Sequence, residues 1–385
     1  MDNYENVKYA DDRVNLIVFS IMVVISVYFF SLIEVELSKN KNIYSNIKYV
    51  LLISIILFYI SISLHEIGHF VIFKIYGYKL LCFKVGPICL INNNGSIEIK
   101  IDKKNIFSGA TIPRLKDKFE KIYDVNNFSE EIKRSLFGGI IVNLILIIIS
   151  FIISLNIANN ETQMYLHIIQ FVNLYAIACS MYKKYDLYGD LIAIKLIFQD
   201  KEFSVNYFTN SIKIEKGTNK ILVREMEKYI CRKLENGQYN TLICNDIIVL
   251  LEEYILNNYN IPNEINKFND WLLNNLGKLE FSIHYKVVCI NLIIMIIYVN
   301  IVQNDSVLAY NRFIKLKEFV LQKPVLGKNK IIDMKIEKLK NILNNRNNDI
   351  KQLSDINHFY YNFDNYKVRQ LKFNEKILLS CNGGK

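Results

Sequence analysis

Five histidines occur in the 385 residues, and two of them stand one helical turn apart with a glutamate beside the first. The segment reads His65-Glu66-Ile67-Gly68-His69. Side chains at i and i+4 share one helix face, so both imidazoles can reach a single tetrahedral zinc. Glu66, next to the first histidine, is then placed to act as general base on a water at that metal. A random chain of this composition contains roughly 0.003 such matches, so coincidence is a poor explanation. Nor is this a pair of surface histidines on an ordinary helix. LLISIILFYISISL precedes the motif and FVIF follows it, and ionisable groups in such apolar surroundings are costly and usually functional.

The elements that must position these groups are apolar helices. Four stretches approach the length of about 20 residues that a helix needs to cross a bilayer: residues 14–33, 49–75, 136–155 and 164–182. The first is followed by Glu34 and Glu36 and has an acidic, not basic, N-terminal flank, so it reads as a retained membrane helix and not a signal peptide. Basic loops mark the cytoplasmic side. Residues 77–135 carry 11 Lys or Arg, Lys183 and Lys184 follow the fourth stretch, and the turn from Ile157 to Thr162 has none. This places the N-terminus, the 77–135 connection and everything after residue 183 in the cytoplasm.

A catalytic zinc takes a third protein ligand and keeps a position for water. No third histidine follows closely, since residues 70–77 read FVIFKIYG. Glu98, Glu120, Glu130 and Glu131 lie on the charged 77–135 connection and read as a solvated face. Asp186 and Asp190, in KKYDLYGDLIAIKLIF after the fourth stretch, are on the same membrane side as the histidines and are the better candidates. Gly68 suits a close helix contact in lipid.

Residues 201–385 have a different character, with amphipathic helical periodicity broken by Asn-rich joints. Residues 287–302 are more apolar, but short and flanked by soluble-type helices, and read as a buried helix of an array. Helix spacing suggests a tetratricopeptide-like stack without a firm repeat signature. The expected fold is therefore mainly α. It has a polytopic membrane core over 1–200, a small β element at the membrane surface within 82–101, and a cytoplasmic helical domain over 201–385. Lys plus Arg exceeds Asp plus Glu by 47 to 37, and the excess lies mostly after residue 200, where 27 basic residues face 19 acidic ones. That excess fits a domain beside an anionic leaflet, without a nucleic-acid partner. The seven cysteines form no C-x-x-C pair and read as reduced, mostly buried thiols. No Walker or dinucleotide glycine pattern occurs.

Across residues 50–200 the chain resembles the site-2 protease family of intramembrane zinc metalloproteases. The H-E-x-x-H helix is followed by F-x-x-x-K-x-x-G, from Phe70 through Lys74 to Gly77. CFKVGPICLI is similar to the family's F-x-x-G-P segment. Gly138, Gly139 and Asn143 resemble its small-residue-plus-Asn helix, and Asn173 followed by Ser180 resembles the start of its last core helix. Ser180 and Lys183 occupy the places of the family's Asn and Pro, and the glycine partnering Asp190 precedes it as Gly189.

The resemblance implies zinc bound by His65, His69 and Asp190, with Asp186 as the alternative third ligand and Glu66 as the catalytic base. It implies hydrolysis of a peptide bond in or near a membrane segment of a signalling protein or peptide precursor. Asn143 is a candidate for hydrogen bonding to substrate backbone, and an exposed strand edge for pairing with an unwound substrate. A protein partner is expected at the C-terminal helices. The alternative is a catalytically degenerate, membrane-anchored helical scaffold. A transporter is disfavoured because the spans show no internal repeat.

Overall fold

Apolar length organises the first half of the chain. In the computed structural model, α1 (Asp12–Lys39), α2 (Ile47–Ile75) and α3 (Val125–Asn156) are long helices. The stretches Leu16–Val35, Lys48–Ile75 and Asn126–Asn156 within them are long and apolar enough to cross a membrane. Leu16, Phe19, Val24 and Val27 are all more than 60% exposed, and side chains this apolar need lipid to cover them. The structure describes residues 5–6, 12–39, 47–93, 95–102, 106, 108–115, 119, 125–184, 187–214, 220–275, 283–321, 330–343, 370–377 and 380. It divides into two units, Tyr9–Ser204 and Met1–Lys8 with Val205–Lys385.

In the first unit a fourth helix, α4 (Asn160–Ser180), starts at Asn159, whose carboxamide accepts from the amides of Glu161 and Thr162. Among the described residues three helices are apolar enough to cross by composition, and α4, which carries Gln170 and Asn173, is not one of them. Both are buried, so its polar groups point into protein. Val50, Met164, Ile168 and Val172 form a buried cluster joining α2 to α4, with Ile33 of α1 packed against it.

The crossing of α2 and α3 depends on two glycines. A Cβ added at Gly68 meets the Gly138 carbonyl oxygen at 2.5 Å, and one at Gly138 meets Gly68 in return. Only backbone fits between these helices, the arrangement small residues permit in lipid. α2 is followed by a turn at Gly77, whose φ of +80° suits glycine.

Four antiparallel strands then form one sheet in the order β4-β3-β2-β5, with β2 Lys79–Val85, β3 Ile88–Asn93, β4 Ser96–Ile101 and β5 Gly109–Arg114 (β1 is a two-residue strand, Glu5–Asn6). Strand alternation sends Ile97, Ile99 and Ile101 to one face of β4, each 66–71% exposed. This apolar face suits a sheet at a membrane surface. β5 is an edge strand carrying Pro113, which tolerates the loss of a donor only at such an edge. After α4, the short strands β6 (Lys183–Lys184) and β7 (Leu187–Tyr188) pair and lead into α5 (Asp190–Gln199).

The second unit is helical. α6 (Phe208–Ile214) and α7 (Lys220–Glu235) lead through β8 (Gln238–Tyr239) to α8 (Thr241–Asn257), α9 (Asn263–Asn275), α10 (Ile283–Val302), α11 (Ser306–Leu321) and α12 (Lys330–Leu343). α10 holds the apolar 287–302 segment. Cys289, Ile290, Leu292, Ile293, Ile296 and Ile297 on it are fully buried, so it is a core helix of this unit. The helices from α7 to α12 range from 13 to 20 residues, and a tetratricopeptide-like stack is not established by them. β1 pairs in parallel with β8, Glu5 opposite Gln238 and Asn6 opposite Tyr239.

Candidate metal centre

Two turns before its end, α2 presents His65 and His69 on one face, and the N-terminus of α5 brings Asp190 to them. The three donor atoms form a nearly equilateral triangle. His65 Nε2 lies 3.0 Å from His69 Nε2 and 3.1 Å from Asp190 Oδ2, and His69 Nε2 lies 3.3 Å from that oxygen. Zinc–ligand bonds of about 2.0–2.1 Å in a tetrahedron put donor atoms roughly 3.3 Å apart, so the triangle has the size of one tetrahedral face. Among the described residues this is the one cluster of three or more such side chains that can hold a metal ion.

The far side of each imidazole is engaged. His69 Nδ1 lies 2.7 Å from the Ser135 carbonyl oxygen. An oxygen there accepts only from Nδ1–H, which leaves the Nε2 lone pair for a metal. His65 Nδ1 lies 3.0 Å from Asn143 Nδ2, while Asn143 Oδ1 is buried without a partner. Turning that carboxamide by 180° sets Oδ1 against Nδ1–H, so that the ring donates and Oδ1 accepts. Asn143 therefore stands behind His65, away from the donor face.

Gly139 provides the floor. A Cβ there would sit 2.6 Å from His69 Nε2 and 2.7 Å from His65 Nε2, within the space the donor atoms surround. The glycine keeps open a cradle that any other residue fills.

Glu66 is buried and its carboxylate approaches β5. The Thr111 hydroxyl lies 2.8 Å from Glu66 Oε2 and donates to it, and Oε1 lies against Gly109 so closely that a Cβ there is excluded. A cavity of about 580 Å³ opens in front of His65, Glu66 and Asp190.

The other residues weighed in the sequence can be placed as follows. Asp186 lies outside the described residues, as does Glu120. Glu98 pairs with Lys100, Glu130 with Lys133, and Glu131 accepts from the Tyr78 hydroxyl; none of them joins the donor group. Thr111, Gly109 and the Ser135 carbonyl were not singled out by sequence. The strand touching Glu66 is β5, beyond the 82–101 interval, and its signal in the sequence is Pro113.

Over residues 53–366 the chain matches peptidase family M50, the site-2 protease family. It is a member of that family. No curated protein and no protein of solved structure matches the chain. Membership makes this chain a protease of the membrane metalloprotease kind, and its three apolar helices fit a membrane protein.

Proposed function

We propose that the chain is an intramembrane zinc metalloendopeptidase. In this reading zinc is held by His65, His69 and Asp190, and Glu66 is the catalytic base. The convergence of Asp190 with two histidines 125 and 121 positions earlier, in a triangle of tetrahedral size, carries the proposal. Asp190 is favoured over Asp186 on this ground.

A bound zinc supplies Lewis acidity toward the scissile carbonyl and lowers the pKa of water toward about 7. The remaining work falls to side chains. Glu66 takes a proton from the attacking water and delivers it to the leaving amine. Thr111 holds the carboxylate in one orientation for both transfers. Ser135 and Asn143 fix the imidazole rings and their tautomers. β5, an open strand edge beside Glu66, pairs with substrate backbone once the substrate helix has unwound.

Pairing of β1 with β8 supports a topology in which the segment before α1 and the 205–385 unit share one side of the membrane. An even number of crossings is then required, so α4 serves as the fourth span, its Gln170 and Asn173 turned inward. The basic connection after α2 makes that side cytoplasmic. The substrate is a membrane-spanning signalling protein or a membrane-associated peptide precursor, and the C-terminal unit is the docking place for a protein partner.

The test compares new protein N-termini in cells expressing the wild type or Glu66→Gln. Termini arising inside apolar segments only with the wild type are expected. Identical sets from the two proteins would reduce the chain to a membrane-anchored helical scaffold.

A further inference from the structure

The cavity before the donor group is walled by two helix faces. On α2, Phe58 and Ile62 occupy the i−7 and i−3 places relative to His65, so the wall and the metal-facing residues are one continuous stripe. On α4, Val172, Tyr175, Ala176 and Cys179 repeat at helical spacing and face the same space. Tyr175 is 39% exposed and Cys179 is exposed, so protein leaves this part of the wall uncovered.

Among the described residues, the carboxylates and imidazoles lining the cavity are His65, Glu66 and Asp190. Between the α2 and α4 walls themselves, away from those three groups, the described residues offer a charged substrate side chain no counter-ion, so its desolvation there is uncompensated. A large aliphatic or aromatic side chain gains contact with both walls. The volume of about 580 Å³ is in the range of ligand-binding cavities and exceeds a single side chain, leaving room for the adjoining backbone.

Resting on the metalloprotease reading, we propose that this cavity is a specificity pocket. It selects a bulky apolar residue adjoining the scissile bond, with Ala176, the smallest side chain of the α4 wall, setting its depth.

The experiment measures dissociation constants of metal-loaded, full-length protein in detergent for acetohydroxamate and for N-acetyl amino-acid hydroxamates of Ala, Leu, Phe and Asp. Each buried methylene gives about fourfold, so Leu is expected to bind about fifty-fold more tightly than Ala, with Asp weaker than Ala. Ala176→Phe is expected to cut the Leu and Phe advantages to a few-fold while leaving acetohydroxamate binding and metal content unchanged. Because both proteins sit in the same micelles, the variant-to-wild-type ratio cancels partition of the inhibitors into detergent. Cys179 gives a second readout, its alkylation by maleimide being slowed by the Leu compound and not by acetohydroxamate.

Equal affinities for Ala, Leu and Asp in the wild type would overturn the pocket while leaving the metal centre standing. Failure of every hydroxamate, acetohydroxamate included, would overturn the metal centre itself. Should Ala176→Phe fail to fold, the wild-type series and the Cys179 protection decide the matter without it.

Discussion

Gly139→Ala tests the geometry of the centre with one methyl group. The added Cβ would lie 2.6 Å from His69 Nε2 and His65 Cε1 and 2.7 Å from His65 Nε2. Ordinary van der Waals contact begins at 3.4 Å, so the two rings must retreat by about 0.8 Å from positions that metal binding holds to about 0.5 Å. The Ser135 carbonyl at 2.7 Å from His69 Nδ1 limits that retreat. Disturbing the surroundings that orient metal ligands costs up to about a hundredfold in metal affinity, or about 2.7 kcal/mol at 1.36 kcal/mol per decade. Zinc affinity of the variant, measured by competition with a fluorescent chelator, is expected to fall about that far. Helix propensity works the other way, since Ala is favoured over Gly by about 1 kcal/mol in a helix. A loss therefore reports the clash and not a weakened helix. Ile141→Ala, at a 49% exposed position on the same helix, is the control expected to keep wild-type affinity. A Gly139→Ala protein with unchanged zinc affinity would refute the placement of both imidazoles against α3.

Other expectations follow from single contacts. Thr111→Val removes the donor to Glu66 Oε2; cleavage is expected to fall about 10- to 100-fold, as for a hydrogen bond to a charged group, with metal content unchanged. Asn143→Ala leaves His65 Nδ1 without its partner, and zinc affinity measured by chelator competition is expected to drop about 10- to 100-fold. Maleimide labelling with peptide mapping is expected to modify Cys179 and spare Cys82. Cys82 is fully buried, and its hydrogen bond to Cys89 and its burial push the thiol above its ordinary pKa. Raising the pH from 7 to 8.5 therefore leaves Cys82 protonated and unlabelled in the folded protein.

How much of this was legible in the sequence depended on whether the signal was local. His65, Glu66 and His69 declare themselves because their relation is one helical turn. α10 could be assigned to a protein core because its apolar run is short and its neighbours are amphipathic. Membrane topology narrows the third ligand to Asp186 and Asp190, but preferring Asp190 takes a resemblance, since nothing local ties it to a helix more than a hundred residues earlier. Asn143 is legible as a residue, but its neighbour is not. Its type and its helix suggest a contact to substrate, and the crossing of α2 and α3 at Gly68 and Gly138 also sets it 3.0 Å from His65 Nδ1, a contact that depends on packing. Thr111 and Gly109 were out of reach because β5 meets Glu66 through its pairing with β2, a register that no composition encodes. The inward turn of Gln170 and Asn173 was likewise hidden, since it depends on what packs against α4.

The central claim is that three side chains from two distant segments hold one zinc while Glu66 does not. Elemental analysis of purified full-length protein, prepared without chelators, tests it most directly. About one zinc per chain is expected in the wild type and in Glu66→Gln, and none in Asp190→Ala. A metal-free wild type, or an Asp190→Ala protein that keeps its zinc, would contradict the account.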